Sequence, residues 1–113
     1  MFVLFVVLNE IDYLEQILAR FVDVGVQGAT ILDSKGMASA LAAQSGRDQP
    51  VFPFLKKGVR PYSKTIFTVL ENEELVERTA QAVKDVLEEI PRPGVRFMFS
   101  VPLGKVYTLR NDG

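Results

Sequence analysis

The chain has 113 residues, 48% apolar and 24% charged, with a net charge of −1. That is enough for one domain with its own core, and it gives no overall charge bias toward nucleic acid or a membrane surface. No cysteine is present, which removes disulfides and thiol chemistry, and no histidine, which removes the commonest general base and most zinc sites. Phe2 to Leu8 (FVLFVVL) is a continuous run of aromatic, β-branched and leucine residues, which predicts a central strand covered on both faces. Seven residues are too few to span a bilayer, and the run lacks the basic flank and cleavage site of a signal peptide, so a cytoplasmic protein is expected.

Asn9 is placed to cap a helix over residues 10–24, with Glu10 and Asp12 in the first turn, where the helix dipole favours acids. Ile11, Leu14, Ile17, Leu18 and Phe21 form its apolar stripe, and Gly25 suits the left-handed position that ends a helix. Ala29 to Ser34 reads as the second strand, released at Lys35-Gly36 into a long irregular stretch, 36–63. Residues 37–44 have room for a turn or two of helix. Pro50, Pro53, Gly58 and Pro61 then argue against regular structure. Between Arg47 and Lys64 stand five bases (Arg47, Lys56, Lys57, Arg60, Lys64) and one acid, Asp48, beside Phe52 and Phe54. A solvated linker has no need of those aromatics, and a loop this long in a small domain is usually functional or disordered.

Thr65 to Leu70 is the third strand. Asn72 caps a second helix whose Leu75, Val76, Thr79, Ala80, Val83, Val86, Leu87 and Ile90 keep a 3.6-residue period until Pro91-Arg92-Pro93-Gly94 stops it. Val95 to Val101 is the fourth strand, and after a turn at residues 102–104, Lys105 to Leu109 reads as a short extra strand. The order β-α-β-β-α-β predicts an α+β, ferredoxin-like sandwich. Two helices cover only one face of a four-stranded sheet, yet the first strand is apolar on both faces and the fourth nearly so. The other face is therefore expected to pack against further copies of the chain.

Against this frame, residues 24–36 (VGVQGATILDSKG) resemble the second-strand signature of the nitrogen-regulatory PII signalling proteins, in which a VGI-x-G-M-T-V segment runs into K-G-F-G at the start of the T-loop. Residues 64–69 (KTIFTV) and 97–101 (FMFSV) resemble that family's third and fourth strands. The resemblance implies a homotrimer whose inter-subunit clefts bind an adenine nucleotide (ATP, ADP or AMP) as an effector, not as a required cofactor. It implies also that loop 36–63, the T-loop equivalent, docks on a target transporter or enzyme, with membrane contact only through that partner. Thr30 falls at the family's adenine-contacting threonine. Lys35, Gly36 and Met37 fall at the loop base beside the nucleotide, and Lys105 and Arg110 near two C-terminal arginines that reach phosphates.

The family's phosphate-binding B-loop, T-G-x-x-G-x-G-K, aligns with Glu89 to Val95, which reads E-I-P-R-P-G-V. Only Gly94 is retained there. Pro91 and Pro93 each remove a backbone donor from a turn whose converging amides would cradle phosphate, leaving Arg92 and Arg96 as substitute point contacts. The glutamine and the uridylylated tyrosine of the family's loop are also missing from their usual places.

The competing functions have less to stand on. The acids along the second helix, such as Glu73 with Glu77, supply a polar face and favour its N-terminus, and no metal site is expected from them. The serines have no histidine partner and neither a G-x-S-x-G elbow nor a Walker sequence occurs, so no enzyme is expected. The alternatives are a trimeric ferredoxin-like protein of the CutA kind without nucleotide signalling and, behind it, a small enzyme using the same inter-subunit cleft.

Overall fold

Asn72 caps a helix with its side chain: its Oδ1 accepts from the Leu75 N–H at 2.8 Å, and the helix that follows runs from Glu73 to Glu88. The structure, a computed structural model, describes residues 1–9, 11–37, 40–41, 63–89 and 95–109. In chain order the elements are β1 (Phe2–Leu8), a 3-10 turn (Ile11–Tyr13), α1 (Leu14–Val24), β2 (Thr30–Ser34), β3 (Ser63–Leu70), α2 (Glu73–Glu88) and β4 (Val95–Pro102). The four strands form one sheet in the order β2-β3-β1-β4, every neighbouring pair antiparallel. This is the ferredoxin-like β-α-β-β-α-β arrangement that the element order predicts. Among the described residues no helix is long and apolar enough to cross a membrane.

Both helices lie on one face. Leu4, Val6 and Leu8 of β1 and Ile66 and Leu70 of β3 point to that face and meet Ile17 and Phe21 of α1 and Val76, Val83 and Val86 of α2. Each such side chain contributes about 1.5–3 kcal/mol by leaving water. Among the described residues no element covers the other face. In register across three strands, Phe67, Phe5 and Phe99 form a row, with Phe5 stacked on Phe99 at 4.9 Å and tilted against Phe67 at 5.9 Å. Phe97 stacks on Phe99 at 5.7 Å, and Thr30, facing Phe67, extends the row to β2. Phe97 is 54% exposed and Phe99 42%.

Three expectations need correction. Asn9 does not cap α1: the chain enters through the 3-10 turn, the α-helix starts at Leu14 after Tyr13 with no side-chain cap, and Asn9 is too far upstream to reach its free amides. Residues 105–109 form no extra strand. The physical cause is a missing partner, because β4 is an edge strand on β1, and β1 is used up where Phe2 faces Pro102; only the Met1 carbonyl remains, and the Leu103 N–H takes it at 2.9 Å. The irregular stretch does not reach position 63, since Ser63 already pairs with Ser34 in the β2–β3 ladder. Its start, at Met37, Ala40 and Leu41, is helical, with the Ala40 N–H donating to the Gly36 carbonyl at 2.9 Å. The remainder, 42–62, lies outside the described residues.

Candidate functional site

Antiparallel pairing gathers the start of β1, the start of β2, the end of β3 and the end of β4 at one end of the sheet. There, the linker 25–28, the β3–α2 corner and the tail 106–109 enclose a cleft of about 690 Å³. That volume lies within the ordinary range of small-molecule sites. Its lining mixes apolar side chains (Val69, Leu70, Leu75, Val106) with the ring of Tyr107 and the polar groups of Gln27 and Glu71. No lysine or arginine lines it among the described residues.

The linker owes its course to Gly25, whose φ of +102° ends α1 in the left-handed conformation. In the same turn the Gly25 N–H donates to the Val22 carbonyl at 3.1 Å and the Val26 N–H to that of Phe21 at 2.9 Å. Val26 is buried and pins the linker, whereas Gln27 and Gly28 are exposed. The Thr68 hydroxyl donates to the Gly28 carbonyl at 2.6 Å. Among the described residues no partner is seen for the amide N–H groups of Gln27 and Gly28. On the opposite wall the tail leaves Tyr107 79% exposed.

The residues singled out from the sequence divide into two groups. Thr30, exposed at the first position of β2, adjoins the linker, and Lys105, exposed, immediately precedes the tail segment that lines the cleft. Lys35, Gly36 and Met37 lie beyond the other end of β2, about 16 Å from Thr30 by the rise of a strand. The backbone of Arg96 belongs to that far end too, near the start of β4 but three strands away across the sheet. Gly94, Arg110 and the side chain of Arg96 lie outside the described residues. The chain brings Thr30 and Lys105 to one end and Lys35, Gly36 and Met37 to the other, and does not join them.

At the far end, where β2 and β3 part, three hydroxyls tie the strands together. Ser34 Oγ lies 2.7 Å from Ser63 Oγ, and the Thr65 hydroxyl donates to Ser34 Oγ at 2.9 Å. This cluster, the cleft walls Gln27, Glu71 and Tyr107, and the buried Thr68 behind Gly28 escape sequence reasoning, because they come together only through the β2–β3 register and the return of the tail. The glycine pair Gly25 and Gly28 is the one signal that could have found the linker wall. Comparison of the chain with protein-family models and with curated proteins finds no match.

Proposed function

We propose that the chain is a cytoplasmic PII-like signalling protein of nitrogen regulation, a homotrimer that binds an adenine nucleotide or similar anion between subunits and acts on a partner protein through the stretch 36–63. The observation that supports the reading is that Thr30 and Lys105 stand at one end of the sheet and Lys35, Gly36 and Met37 at the other. A site using Thr30 and Lys105 together with Lys35, Gly36 and Met37 needs two chains, and the aromatic face, which no described element covers and where Phe97 and Phe99 are exposed, gives a second chain a reason to be there. Nucleotide charge drawn to Lys35 at the loop base would then favour one arrangement of the loop over another. The coupling equals the difference in affinity for the two arrangements.

Calorimetric titration with ATP, ADP, AMP and cyclic AMP at fixed salt tests this. Saturation at about one ligand per chain is expected in the micromolar range, about 8 kcal/mol, and is lost in Thr30→Val and Lys105→Ala. No heat with any of the four overturns the nucleotide reading, and a trimer that persists without binding then favours an assembly of the CutA kind.

A further inference from the structure

Two residues beside the cleft are not what the fold of the chain demands, and they meet at one hydrogen bond. Thr68 points from β3 into the core, 2% exposed, between Ile66 and Leu70 on its strand and opposite Leu4 on β1. Valine has the same shape and no polar atom to satisfy there. Gly28 is a glycine without a steric reason: its φ is not positive, and a Cβ added to it would meet no atom within 4 Å. Its effect is to leave bare backbone on the wall of the cleft, and the hydroxyl of Thr68 holds that backbone from behind at 2.6 Å.

We propose that Thr68 is a positioning residue for the cleft, acting through the Gly28 carbonyl to fix the Gly28–Ala29 peptide and hence the linker wall against which a ligand's hydrogen-bond acceptors dock. Because the peptide is trans, holding the carbonyl toward Thr68 turns the Ala29 N–H the opposite way. Gln27 and Gly28, which precede it, line the cleft, and among the described residues no partner is seen for their amide N–H groups. Glycines at 25 and 28 give this linker unusual backbone freedom once the bond is lost, and a ligand must then supply the ordering entropy itself. The identity of the ligand rests on the nucleotide reading; the anchoring of the linker does not.

The test compares Thr68→Val, which deletes the hydroxyl and keeps the shape, with Thr68→Ser, which keeps the hydroxyl. Thr68→Ala, measured beside Thr68→Ser, repeats the contrast with one atom of difference. In the unliganded protein, ¹⁵N relaxation order parameters of Gln27, Gly28 and Ala29 are expected to fall from about 0.85 to below about 0.6 without the hydroxyl and to stay high in Thr68→Ser. Nucleotide affinity is expected to weaken roughly five- to thirtyfold in the same variants, the cost of ordering one residue, and to be rescued in Thr68→Ser. Unchanged linker order overturns the proposal whatever binds, and lost order with unchanged affinity overturns it as well. If the wild-type protein binds none of the four nucleotides, the nucleotide reading falls, and linker order alone decides whether Thr68 holds the wall.

Discussion

The two faces of the sheet are built from the same strands and almost the same side chains, yet among the described residues the helices cover only one. Leu4, Val6 and Leu8 point under the helices and are buried, while Phe5, between them in sequence, points the other way into a row of phenylalanines that is half-buried at Phe5 and Phe67 and exposed at Phe99. Apolar character alone therefore does not say where water goes; the count of covering elements does. The largest expected effect is on the covered face. Leu4→Ala should cost about 2–5 kcal/mol in chemical denaturation, since it leaves a cavity among residues that have nowhere to move. Phe99→Ala should cost less in the isolated chain, about 1–2 kcal/mol, because a side chain already 42% exposed has less burial to lose. If copies of the chain cover that face, as the proposed trimer requires, the cost should approach the 3–5 kcal/mol of a buried phenylalanine and grow with protein concentration. A concentration-independent loss near 1 kcal/mol would show the face to be bare in solution.

The contrast also marks where the sequence is legible. Features set by a few neighbours can be read directly: the left-handed Gly25, the Asn72 cap and the 3.6-residue period of α2 from Leu75 to Leu87 are present as expected, while Ile90 lies outside the described residues. Features that depend on a distant partner cannot. Residues 105–109 have the composition of a strand and lack only a strand to pair with, since β1 ends first. The candidate site behaves in the same way. Thr30 and Lys35 are five positions apart in sequence and at opposite ends of β2 in space, while Thr68 and Gly28, forty positions apart, share a hydrogen bond. Periodicity says nothing about either relation.

Between the two glycines of the linker a third prediction separates fold from function. Gly25→Ala places a side chain at φ +102° and should cost about 1–2 kcal/mol. Gly28→Ala meets no atom and should be neutral or stabilising by up to about 1 kcal/mol. Its effect should appear instead in ligand titration, where a methyl group stands on the cleft wall. Thermal melts of both variants, run beside the titration, give the comparison. A loss of stability in Gly28→Ala equal to that in Gly25→Ala would mean that this glycine serves the fold after all.

The smallest effect is expected at the margin where the covered face itself runs out. Beyond β3 the helices no longer reach, so Ile31 and Asp33 of β2, although on the helix side by register with Ile66 and Lys64, are exposed. There an ion pair between the Lys64 ammonium and the Asp33 carboxylate takes the place of apolar packing. Asp33 is largely solvated, and water screens most of the attraction. A double-mutant cycle with Asp33→Asn and Lys64→Met should give a coupling of about 0.2–1 kcal/mol, shrinking as ionic strength rises to about 1 M, where the Debye length falls to about 3 Å. A coupling above about 2 kcal/mol that ignores salt would mean that something covers this edge as well. The limit of the covered face would then lie beyond β2, and the division of the sheet into one sheltered and one bare side would have to be redrawn at its edge.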